Sequence, residues 1–150
     1  MKLKMLLAAI AVGAAGPALA SEAVMTVFKT PNCGCCVAWV EALEEAGYSI
    51  EVQDLNDLSV IKKNAGVSDE MASCHTAVLE EDGRKYVVEG HVPLEALEKL
   101  RLERPEIRGV AVPGMPMGSL GMGNDPSARY DVLELSTKAN APVFMSIGDR

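Results

Sequence analysis

The stretch Val24-Met25-Thr26-Val27-Phe28-Lys29-Thr30-Pro31-Asn32-Cys33-Gly34-Cys35-Cys36-Val37-Ala38-Trp39-Val40-Glu41-Ala42-Leu43-Glu44-Glu45-Ala46-Gly47 carries a strand, a break and the start of a helix in succession. Val24 to Lys29 is short, apolar and β-rich, and Thr30-Pro31-Asn32 interrupts it. From Cys36 the spacing places Val37, Val40 and Leu43 on one side of a helix that stops at Gly47, with Trp39 read as core. Three of the four cysteines therefore stand where this helix begins. There the backbone N–H groups are free and the helix dipole is positive, and both favour thiolate over thiol. Sulfurs so placed are expected to be reactive or metal-binding.

Working outward, Ser49 to Leu55 reads as a second strand and Leu58 to Gly66 as a short helix closed by glycine. Cys74-His75 then precedes a strand, Thr76 to Glu80, which Asp82-Gly83 turns into a partner, Lys85 to Glu89. His91-Val92-Pro93 leads into a helix, Leu94 to Glu103, with Leu94, Leu97, Leu100 and Leu102 on its apolar side. The fold class expected is α/β, thioredoxin-like, β-α-β-α-β-β-α, with a C-terminal Met/Gly/Pro-rich loop and an added strand. In that order the residues just before the third strand approach the cysteine motif across the end of the sheet. The fourth thiol and an imidazole would thus meet the other three.

The N-terminus reads as an address. Lys2 and Lys4 precede the apolar run Met5 to Val12, and Ala18-Leu19-Ala20 before Ser21 fits a signal-peptidase site. Residues 1–20 are expected to be a signal peptide, 21–136 a thioredoxin-like metal-binding domain and 137–150 a tail, in a protein destined for the periplasm. The apolar run is too short to span a bilayer, which takes about 20 residues. About 130 residues then remain, enough for one core. The whole chain has 14 Lys+Arg against 21 Asp+Glu, a formal charge of −7, which speaks against nucleic acid as a partner. Acidic residues such as Asp54, Asp57 and Glu89 read as solvated or capping groups.

Four separated motifs carry a family resemblance: Thr30-Pro31-Asn32-Cys33-Gly34-Cys35-Cys36, Met71 to Val78, Val88-Glu89-Gly90-His91-Val92-Pro93 and Val110 to Pro116. Together they resemble the periplasmic CopG-like copper proteins, a family carrying a domain of unknown function and unrelated to the ribbon-helix-helix repressors of the same name. The resemblance runs from about Met25 to about Leu135. It implies a thioredoxin-like fold, copper binding at the cysteine cluster and a role in copper resistance with redox cycling of the metal. The residues it singles out are Cys33, Cys35, Cys36, Cys74, His75, His91 and Met115.

Read as chemistry alone, four thiols have three uses. Structural disulfides suit an oxidising compartment, but adjacent Cys35 and Cys36, with Cys33 two residues away from Cys35, would close strained rings. Thiol–disulfide exchange suits the Cys33/Cys36 spacing, although a third cysteine inside the motif invites wrong pairing. Metal binding gains from every added soft ligand. Thiolate with imidazole and thioether suits Cu(I), whereas zinc gains little from methionine. Met115, Met117 and Met122, set among glycines and prolines, are either ligands on a flap or fillers of an apolar seam. His75 is a ligand or a supporting group, and it alternates with Cys74, so the two are expected to point to opposite sides. His91 is a ligand or a turn residue. The expected partners are copper ions and other periplasmic copper-handling proteins. A buffer and a copper-dependent oxidoreductase share this residue set, and no nucleotide motif or Ser/His/Asp constellation accompanies it.

Overall fold

The computed structural model describes residues 23–136 and 140–148. The signal peptide read at residues 1–20 lies outside them. The elements run β1 (Val24–Lys29), α1 (Gly34–Glu45), β2 (Ser49–Asp54), α2 (Ser59–Ala65), β3 (Thr76–Glu81), β4 (Arg84–Glu89) and α3 (Leu94–Glu103). This is the order β-α-β-α-β-β-α read from the sequence. Three strands follow it rather than one: β5 (Gly109–Ala111), β6 (Tyr130–Glu134) and β7 (Val143–Ile147). All seven strands form one mixed sheet in the order β2-β1-β3-β4-β5-β6-β7. Part of the segment read as a tail is therefore the edge strand of the sheet.

Alternation along the strands sets the two faces. Val27, Ala77, Val88 and Val110 are register partners across four strands, and all are fully buried. They pack in one cluster with Trp39, Val40 and Leu43 of α1 and Ala96, Leu97 and Leu100 of α3. Burying side chains of this size contributes about 1.5–3 kcal/mol each, which explains why two short helices stay docked. The next register row, Thr76, Glu89 and Ala111, points the other way. On that side Ala111 packs with Met71, Leu135 and Val67 in a second, smaller cluster.

Two apolar assignments on the helices are corrected. Val37 and Leu102 are exposed, at 40% and 75%, because the faces turned to the sheet are set by Trp39, Val40 and Leu43 and by Leu97 and Leu100. The hairpin signal holds: Asp82 and Gly83 both take positive φ, 49° and 75°, as a tight two-residue turn between twisted strands requires. No described helix is long and apolar enough to cross a membrane.

Candidate metal centre

Helix α1 begins at Gly34 with Cys33 as its N-cap residue, so Cys33, Cys35 and Cys36 all lie in its first turn. No acidic side chain occupies that turn, and Cys33 makes no side-chain cap. Cys36 is fully buried, while Cys33 and Cys35 are half-buried. Cys33 and Cys36 are joined by a disulfide, with their Cα atoms 5.3 Å apart. The strained pairings of Cys35 with Cys33 or Cys36 are not formed, and the bridge uses the Cys33/Cys36 spacing that suits thiol–disulfide exchange. Residues three apart at a helix start lie on the same face, and their separation falls within the ordinary disulfide range. Cys35 and Cys74 remain free thiols.

Cys74, contributed by the turn before β3, lies at the centre of the site. Its Sγ is 3.5 Å from Cys36 Sγ, 4.0 Å from Cys35 Sγ, 3.5 Å from His75 Nδ1 and 2.9 Å from His91 Nε2. Cys35 Sγ is in turn 3.6 Å from Cys33 Sγ. The four sulfurs form one group whose donor atoms lie within 4.8 Å of one another, and Cys74, His75 and His91 form a second. Cys74 belongs to both. Cys74 and His75 do not diverge as alternation predicts: the segment before β3 is a bend rather than a strand, which lets both side chains reach the same place.

The two imidazoles are held in forms suited to ligation. His91 Nδ1 lies 2.7 Å from the Leu120 carbonyl, which can only accept, so Nδ1 carries the proton and Nε2 presents a lone pair to Cys74. His75 is fully buried, its ring centroid 4.4 Å from that of Trp39 at a tilt of 43° and edge-on to His91 at 5.0 Å. Its Nε2 is buried without a hydrogen-bond partner among the described residues. Burial, followed by the charges of His91 and Lys62, pushes the His75 pKa down to about 3, and burial lowers that of His91 against the Leu120 bond. Both rings are therefore neutral at pH 7. The Cys74 thiol is pushed up to about 11, first by burial and then by Cys35. This thiol keeps its proton at neutral pH.

The loop between β5 and β6 closes over the centre. Gly121, at φ 82°, lies so close to the first turn of α1 that a Cβ would come within 2.7 Å of the Cys35 carbonyl and 2.8 Å of the Trp39 nitrogen. Leu120 and Gly121 thus seat the loop, a role the sequence reading missed, since a carbonyl acceptor and a bare backbone contact leave no residue-type signature. Met115 and Met117 are exposed, and Met122 is half-buried in a turn closed by its N–H to the Ser119 carbonyl at 2.7 Å.

Glu89 is corrected from a solvated group to a fully buried one. Its carboxylate accepts from Lys62 Nζ at 2.5 Å, the Ser73 N–H at 2.7 Å and the Thr76 hydroxyl at 2.6 Å. Burial raises its pKa against the lowering effect of those three partners. Asp57, in contrast, is exposed and accepts the Ser59 N–H at 2.8 Å in the turn just ahead of α2, whose N-cap residue is Leu58.

A seven-stranded α/β sheet bearing four sulfurs and two neutral imidazoles at one end defines a thiol-rich protein with the donors of a soft-metal centre. The family described as "Protein of unknown function, DUF411" matches residues 71–122. Two solved structures, copper resistance protein CopG in forms 1 and 2, are 39% and 38% identical to this chain. Each covers 84% of this chain and 98% of its own, with a TM-score of 0.72. The chain belongs to the CopG family. No curated protein matches it in a sequence comparison.

Proposed function

We propose that this chain is a periplasmic copper-resistance protein that binds Cu(I) through Cys33, Cys35, Cys36 and Cys74, with His75 and His91 completing the donor set. The observation that carries this reading is Cys74, which is shared by a four-sulfur group and a sulfur–imidazole group. Six soft and borderline donors exceed what one Cu(I) ion takes, so the centre suits a polynuclear copper–thiolate cluster. Copper bound there supplies one-electron redox chemistry, in keeping with cycling between Cu(I) and Cu(II). The chain's own contribution is to present neutral imidazole nitrogens and to exclude water under the Leu120–Gly121 seat. The exposed Met115 and Met117 suit transient thioether contacts with incoming copper, with Met122 closer to the loop turn. Zinc fits the Cys/His donors but leaves these methionines without a role.

Cys33 and Cys36 must be reduced before all four sulfurs can ligate. The decisive test is anaerobic titration of the reduced mature protein with Cu(I), with metal analysis, thiol counting and the fluorescence of Trp39, the single tryptophan. More than one copper per chain and quenching of Trp39, whose ring packs against His75, are expected. A protein that retains no copper after desalting would overturn the reading. Binding is also expected to release the Cys74 proton. With that pKa at about 11, the thiol is protonated throughout the neutral range, and copper competes with one proton there. Apparent Cu(I) affinity should therefore rise about tenfold per pH unit between about pH 6 and 8 from this group. A flat profile in chelator competition would show that Cys74 is not a ligand.

The disulfide favours one second reading, a thiol–disulfide oxidoreductase using Cys33 and Cys36. Export is a separate expectation: mass spectrometry of a periplasmic extract should find a chain starting at Ser21. Recovery of intact Met1 from the cytosol alone would refute it.

A further inference from the structure

The polar network behind the metal centre is built from consecutive residues. Glu89, Gly90 and His91 face Ser73, Cys74, His75 and Thr76 in a near one-to-one arrangement. The Glu89 carboxylate takes the Ser73 N–H and the Thr76 hydroxyl, Gly90 donates its N–H to the His75 carbonyl at 3.1 Å, and His91 Nε2 meets Cys74 Sγ at 2.9 Å. Thr76 and Glu89 are register partners of β3 and β4, so sheet pairing places the carboxylate beside the bend. From the other side, the Gly114 N–H bonds the Ala72 carbonyl at 3.2 Å and the Ser73 hydroxyl bonds the Gly114 carbonyl. Lys62 of α2 supplies the counter-charge and also donates to Thr76 Oγ1 at 3.0 Å.

A buried ion pair contributes little to net stability, because desolvating two charges offsets their attraction, and apolar residues of similar volume do as well or better. What the carboxylate adds is orientation. It grips the backbone of residue 73 and the side chain of residue 76, leaving Cys74 and His75 between two fixed points. We propose that Glu89, neutralised by Lys62, is a positioning residue that holds Cys74 and His75 in ligating geometry. This inference rests on the metal-binding reading above and deepens it. Glu89 touches no metal; it acts through the residues it holds, as partners of ligands do in other metal sites.

The test uses the full mature chain in three forms besides wild type. Glu89→Gln keeps the shape but replaces one acceptor by a donor, which meets either the Thr76 hydroxyl or the Lys62 ammonium and Ser73 N–H. Lys62→Met with Glu89→Gln removes both charges. Arg101→Gln breaks the Arg101–Glu81 pair at the opposite end of β3 and serves as the control. Three quantities are read: Cu(I) affinity by chelator competition, the alkylation rate of Cys74 in reduced metal-free protein by peptide mapping, and Tm. Glu89→Gln is expected to weaken Cu(I) binding by about 10- to 100-fold and to change the Cys74 alkylation rate. The double variant should regain Tm without regaining affinity, and Arg101→Gln should lower Tm alone. Wild-type affinity and alkylation in Glu89→Gln, or affinity restored together with Tm in the double variant, overturn the proposal. If Glu89→Gln does not fold, the double variant decides by the same two readouts. If wild-type protein binds no copper yet the Cys74 rate still shifts in the variants, the metal reading fails and the positioning role stands.

Discussion

Cys74→Ser is expected to lower Cu(I) affinity by about a hundredfold or more and to reduce the copper held per chain, with little change in Tm. Loss of a residue that merely supports a ligand costs roughly 10- to 100-fold in metal affinity, and a direct ligand shared by two donor groups costs more. Cys74 Sγ is the atom within 4.0 Å of Cys35, Cys36, His75 and His91 alike, so its removal opens both groups at once. Serine is nearly isosteric and its hydroxyl can donate to His91 Nε2, which is already oriented by Leu120. The fold therefore has no reason to suffer. Chelator competition and metal analysis measure the effect. Copper stoichiometry and affinity equal to wild type would remove the shared-sulfur centre altogether.

Replacing Cys35 with serine separates the two readings of the cluster. Cys35 is outside the Cys33–Cys36 disulfide and lies 3.6 Å from Cys33 Sγ and 4.0 Å from Cys74 Sγ. A dithiol oxidoreductase needs only the attacking and resolving sulfurs, so it should keep its activity, and it gains by losing a thiol that invites mispairing. A copper centre loses a thiolate, and Cu(I) affinity should fall by at least about tenfold. Reductase activity on a disulfide substrate and Cu(I) competition, measured on the same preparation, decide between them. Full copper affinity in Cys35→Ser, joined with strong disulfide reductase activity, would make exchange the function.

These two substitutions also show how differently the parts of the site could be read from the chain. The placement of Cys33, Cys35 and Cys36 in the first turn of a helix was legible, because strand, breaker and helix periodicity are local signals carried by neighbouring residues. The same holds for the hairpin at Asp82-Gly83, where the turn type demands those residues, and for the order of the first seven elements. The net charge of −7 and the crowding of soft donors into one motif likewise belong to the chain as written.

The tertiary structure decided what depends on pairing over distance. Strand β5 spans only Gly109–Ala111, too short for a periodic signal, and exists because β4 and β6 flank it; β7 in turn pairs with β6. Glu89 looks like any acidic residue at the end of a strand until register sets it beside Thr76 and α2 brings Lys62 over it. Cys74 and His75 alternate in sequence, yet in the bend between Ser73 and Thr76, both bonded to that carboxylate, the two side chains lie beside His91. The proton on His91 Nδ1 is placed by a backbone carbonyl of Leu120, which any residue type would provide. Residue identity determined which chemistry was available at one helix end. Long-range contacts, whose partners are chosen by sheet register and burial rather than by neighbours in the chain, decided which of those groups meet.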